Sequence, residues 1–200
     1  MSKRMDRISR REQIAEEALK LAARGISAIT MDNVSKACGI VPSALYRHYK
    51  NKNEIIHGLK EIIRKKLIEN AQLAASEESS PLAALKNLAR RHAELICDHP
   101  GIPRFLFSEA SLDKDSLRRK GLQSIINEYR AAAAVIAEKG QQIGEIRTDI
   151  SAVDVVFMLL GTVVPPSFLF HITSGEFDPR EQVERNLRLF EDAVRSGTED

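Results

Sequence analysis

Two hundred residues with 43% hydrophobic side chains and no low-complexity tract can bury a sizeable core. The net charge of +2 is too small to mark a polyanion binder by itself, and two distant cysteines, Cys38 and Cys97, exclude a disulfide scaffold. No apolar run approaches the roughly 18 residues that a membrane helix needs, and the basic start MSKRMDRISRR leads into no apolar stretch, so a cytoplasmic protein without signal peptide or membrane anchor is expected.

The charge is unevenly spread. Residues 1–66 hold 15 Lys/Arg against 7 Asp/Glu, while the remainder is acidic, 15 against 21. A basic head on an acidic body is the electrostatic footprint of a small DNA-reading module. The chain lacks a nucleophile elbow, a phosphate-binding glycine loop and an HExxH pair. Its histidines, His48, His57, His92, His99 and His171, are scattered. Neither a catalytic site nor a metal or cofactor site is expected, and the chain reads as a non-enzyme.

In chain order, a first helix is predicted from about Ser9 to Arg24, with Ile14, Ala18, Leu21 and Ala22 on one face. Thr30 then suits an N-cap, with Asp32 in the first turn where negative charge favours the helix dipole. Val34, Ala37 and Cys38 give that second, short helix a small apolar face, and Gly39 ends it. Pro42 suits the first position of a third helix, in which Leu45 and Tyr49 share one face. Ser43 with Arg47, and Ala44 with His48, fall on other faces, so one side can pack inward while the rest is offered to a groove. Asn51 or Lys52 begins a long fourth helix through Ile55, Ile56, Leu59, Ile62, Ile63 and Leu67.

Residues 76–81, SEESSP, form a break with Ser80 as cap and Pro81 at the next helix start. A helix through Leu82, Leu85, Leu88, His92, Leu95 and Ile96 follows, then a short piece from Ile102 to Ala110. Another helix is predicted from about Asp115 to Lys139, with Leu117, Leu122, Ile125, Tyr129 and Ile136 apolar. After a polar loop over 140–151, Asp149 or Ser151 caps the most apolar segment, Val153 to about His171. Pro165 and Pro166 should interrupt or kink it. Asp178–Pro179 starts the last helix, which carries Val183, Leu187, Phe190 and Val194.

The order Ile14, Ala18, Leu21, Gly25, Thr30, Val34, Gly39, Leu45-Tyr46-Arg47-His48-Tyr49 and Lys52 resembles the DNA-binding domain of TetR-family transcriptional regulators over roughly residues 8–60. Two departures stand at the head of the recognition helix: Val41 replaces the usual Ser cap, and Ser43-Ala44 the usual Gly-Thr. The resemblance implies an all-α fold of about nine helices. Three form a helix-turn-helix domain (residues 1–52), one links (about 52–75), and five build an effector-binding and dimerisation domain (76–200).

It also implies that Thr30, Tyr46, His48 and Lys52 touch phosphates, with Lys50 beside them. Pro42, Ser43, Ala44 and Arg47 are the candidates for base edges, Arg47 being suited equally to a guanine or a phosphate. Two heads paired across a two-fold axis would read a palindrome in double-stranded DNA. The natural homodimer surface is the last two helices, through Val153, Val156, Met158, Leu160, Val163, Leu187, Phe190 and Val194. A small, mostly apolar effector is expected to be lined by Phe105, Phe107, Tyr129, Phe157, Phe168 and His171 and to release a bacterial repressor from its operator. The alternative is an effector-independent regulator controlled by a protein partner.

Overall fold

The computed structural model describes the backbone of residues 2–112, 116–173 and 175–197, and the side chains of 10–108, 120–170, 173 and 175–197. Among these residues the chain forms nine α-helices: α1 (Ser2–Ala22), α2 (Met31–Ala37), α3 (Pro42–Leu45), α4 (Lys52–Glu77), α5 (Pro81–Asp98), α6 (Gly101–Leu112), α7 (Ser116–Gln142), α8 (Ala152–Ile172) and α9 (Pro179–Val194). A 3-10 turn over Ile26–Ala28 joins α1 to α2, and the described residues hold no strand, only an isolated bridge between Ile146 and Arg195. The all-helical expectation is met. Asp115 and the side chains of Leu117 and His171 lie outside the described residues.

Several ends differ from the sequence reading. Helix α1 begins at Ser2, because no glycine or proline interrupts the basic stretch before Ser9. The recognition helix α3 is only four residues long. Beyond Leu45 the chain tightens into bonds from Arg47 N–H to Ala44 C=O (3.3 Å) and from His48 N–H to Leu45 C=O (2.9 Å). The N-cap Val41 has no side-chain acceptor, so this helix starts without a side-chain cap. Helix α4 starts with a reciprocal side-chain cap close to a capping box. Glu54 N–H donates to Asn51 Oδ1 (3.0 Å), and Glu54 Oε2 accepts from Lys50 N–H (3.0 Å).

The largest correction is at α8, which runs uninterrupted through Pro165 and Pro166. Pro166 cannot donate to Thr162 C=O four residues back. The Asn186 side chain on α9 takes over and donates to that oxygen at 3.1 Å. Helix α8 is also apolar and long enough over Ala152–Phe170 to qualify by composition as a membrane-crossing helix, with mean hydropathy 1.9, where the sequence reading saw no such run. One face of it is core: Val155, Val156, Leu159 and Val163 are buried.

The chain separates into two compact units, Met1–Lys65 with His99–Ile125, and Lys66–Asp98 with Ile126–Asp200. The first unit packs α1 against α2 and α6 around Ile14, Leu19, Val34, Leu45, Tyr49, Leu59 and Phe105. Helices α1 and α6 meet backbone to backbone: a Cβ at Gly101 would fall 2.1 Å from the Leu19 carbonyl oxygen, so only glycine fits. The second unit packs α5, α8 and α9 around Leu85, Leu88, Val156, Leu187 and Phe190. Glu145 Oε2 accepts from Ser80 Oγ (2.7 Å) and from Leu82 N–H (3.1 Å), placing a carboxylate at the N-terminus of α5.

Candidate nucleic-acid interface

The first unit presents one surface built by α2, α3 and the residues that follow. Thr30 caps α2, its Oγ1 accepting from Asn33 N–H at 3.1 Å, and stays exposed beside the free amides of the first turn. Leu45 and Tyr49 are buried, which turns α3 so that Pro42, Ser43, Tyr46 and Arg47 face solvent. Tyr46 is 52% exposed. Ala44 and His48 are half-buried at the edge of this face. Among the described residues neither Tyr46 nor Arg47 makes a side-chain hydrogen bond or ion pair, so both polar ends are available to a ligand.

Lys52 is placed differently from a simple surface cation. It is half-buried and donates from Nζ to Ile26 C=O (3.0 Å), tying the start of α4 to the 3-10 turn. Its ammonium has two further donors for a phosphate. Sequence reasoning named Val41, 63% exposed next to Pro42, only as a missing cap, and passed over Arg11, whose guanidinium covers the Tyr49 ring. The signal for Val41 was its place at an N-cap it cannot serve; no local pattern pointed to Arg11.

The candidate effector residues divide between the units. Phe105 is buried and Phe107 exposed in the first unit, whereas Tyr129, Phe157 and Phe168 belong to the second. The Tyr129 hydroxyl and His92 Nδ1 lie 2.8 Å apart with the rings edge-on. Loss of hydration lowers the His92 pKa to about 4 and raises that of Tyr129, keeping both neutral. Phe157 is 55% exposed and carries the Arg130 guanidinium 4.1 Å from its ring centre. An open groove of about 230 Å³ runs beside it, lined by Asn127, Arg130, Ala131, Ala134, Val153 and Val156.

Of the residues expected at a dimer surface, Val156, Val163, Leu187, Phe190 and Val194 are buried inside the protomer, Leu160 is half-buried and Val153 exposed. The large apolar side chains that α8 turns to solvent are Val153, Phe157, Met158, Phe168 and Leu169, and α9 adds Leu189. Both thiols are free, and burial pushes their pKa up, so neither is an activated nucleophile. No cluster of three or more metal-binding side chains occurs among the described residues.

Two family models match the chain. Residues 14–59 match "Bacterial regulatory proteins, tetR family", and residues 81–173 match "Tetracyclin repressor-like, C-terminal domain". A curated relative, the nucleoid occlusion factor SlmA of Haemophilus ducreyi, is 27% identical over 109 residues, 54% of each chain; the match thus spans about half of that relative's length. Among solved structures, a TetR transcriptional regulator from Chloroflexus aurantiacus superposes with TM-score 0.79 at 17% identity, covering 98% of this chain and 100% of that one. The regulator FadR of Bacillus subtilis in complex with stearoyl-CoA superposes with TM-score 0.76 at 18% identity, covering 92% and 98%. At these identities the solved structures establish the fold alone.

Proposed function

Because the chain belongs to the TetR family of bacterial DNA-binding transcriptional regulators, we propose that it is a repressor that binds a palindromic operator as a homodimer and is released by a small, mostly apolar effector. The observation that carries the reading is the exposed face of α3, where Pro42, Ser43, Tyr46 and Arg47 stand free while Leu45 and Tyr49 anchor the other side. Base readout falls to Pro42, Ser43, Ala44 and Arg47. Thr30, Tyr46, His48 and Lys52 hold phosphates. Residues 1–52 form the DNA-binding domain, and residues 76–200 take the effector and the second subunit.

Dimerisation is supported by the apolar side chains that α8 exposes along its length, Val153, Phe157, Met158, Phe168 and Leu169. The buried Val156, Val163, Leu187, Phe190 and Val194 back this surface from inside. An apolar effector is supported by the like-folded FadR, which holds stearoyl-CoA. The sequence relatives, whose name carries a role in nucleoid occlusion and no ligand, support a second reading: a DNA-binding regulator that answers to a protein partner.

The test is binding of the purified protein to the DNA upstream of its own coding sequence across a salt series. A palindromic footprint is expected, with affinity falling about 10³-fold or more between roughly 50 and 200 mM salt. Release by added stearoyl-CoA would favour the effector reading over the partner reading. Weak binding that is indifferent to sequence would refute the repressor.

A further inference from the structure

We propose that Arg11 is a positioning residue for DNA reading, holding from α1 the end of the recognition turn that carries Arg47 and His48. The inference rests on the DNA-binding reading above. A helix of four residues is too short to hold its own orientation by cooperative hydrogen bonding, so the aim of its exposed face must be set from outside. Arg11 does this through three contacts. Its Nη1 donates to His48 C=O, just beyond the end of α3. Its own C=O accepts from the Tyr49 hydroxyl at 2.9 Å. Its guanidinium lies 4.2 Å from the Tyr49 ring centre.

The two residues therefore grip each other in both directions. Tyr49 also packs closely against α4: a Cβ at Gly58 would come within 2.5 Å of its hydroxyl oxygen. The end of the recognition turn is thus clamped between α1 and α4, with a charged donor supplied by Arg11. Arg11 also precedes the segment matched by the family model, which begins at residue 14.

A residue that positions others differs measurably from one that touches phosphate. Losing a phosphate contact weakens binding to all sequences alike and lowers the salt slope by about one. Losing the clamp lets Arg47 and His48 drift, which harms discrimination. The experiment measures binding of Arg11→Ala, Arg11→Lys and Tyr49→Phe proteins to the upstream fragment and to a scrambled fragment of equal length and composition, each over a salt series.

For Arg11→Ala the expected result is a loss of about tenfold or more on the upstream fragment, a value about one bidentate base contact would give. The scrambled fragment should change by less than about twofold, with the salt slope unaltered. Arg11→Lys keeps the charge but not the planar stack, and should fail to restore discrimination. Tyr49→Phe removes only the hydroxyl and should shift discrimination the same way by less; it also serves if Arg11→Ala does not fold. Equal losses on both fragments with a slope lower by about one would overturn the proposal in favour of a direct phosphate contact. So would rescue by lysine, or unchanged discrimination with only a lower melting temperature. If the unaltered protein itself does not prefer the upstream fragment, the DNA-reading function fails first, and that is seen without any variant.

Discussion

His92 and Tyr129 share a hydrogen bond in an apolar setting, and the imidazole consequence is a dependence on acid. The folded pKa of about 4 lies below the ordinary 6.5, so the unfolded chain takes up the proton first. The stability contributed by the neutral ring is complete above about pH 6.5. It drains away as pH falls towards 4, by up to about 3 kcal/mol. Melting curves across that window should show the loss in the wild-type protein and a smaller one in His92→Gln; equal losses would assign it to other groups. From sequence, His92 was visible only as one more position on the inward stripe of a helix. Its partner on α7 is 37 residues away, and no periodicity reports a contact at that separation. Thr30, whose capping bond joins residues three apart, was legible at once.

Helix α8 shows what element-scale reading can and cannot do. Ser151 and Asp178 were readable as caps of α8 and α9, and both accept from the first-turn amides as such residues do. The proline pair read as an interruption or a kink; the helix continues because the compensation comes from another helix. Asn186, itself oriented by Gln182 Nε2 donating to its Oδ1 at 2.9 Å, fills the bond that Pro166 leaves open. Asn186→Leu should strand the largely buried Thr162 carbonyl and cost about 1–3 kcal/mol by chemical denaturation. In an Asn186→Leu, Pro166→Ala double variant the new N–H at position 166 can reach Thr162, and most of the loss should return. Simply additive effects would show that the two groups do not share this oxygen. The shortness of α3 escaped the sequence for a like reason: Leu45 with Tyr49, Ser43 with Arg47 and Ala44 with His48 sit at helical spacing, but Arg11, distant in sequence, holds the carbonyl of His48.

For the whole molecule, the proposed dimer seam on the apolar outer face of α8 makes a prediction about assembly. Phe168 is 44% exposed, so Phe168→Glu should leave the protomer folded yet place two carboxylates at a two-fold seam. Sedimentation should then show monomer, and affinity for the operator should fall by at least about tenfold as one of two half-site contacts is lost. A dimer of unchanged DNA affinity would move the interface elsewhere and return Phe168 to a ligand-lining role. Sequence patterning named α8 and α9 for a dimer surface but chose mostly side chains that the protomer itself buries, because an almost uniformly apolar helix gives no hint of which side is outward. The glycine crossing of α1 and α6 bears on modularity. The reading head is completed by a helix encoded some 40 residues after its last matched position, with Ile102 and Phe105 sealed beneath it. A fragment cut at residue 65 would lack that helix and lay bare the floor it covers, so the head cannot be lifted out and grafted onto another body as a self-sufficient part.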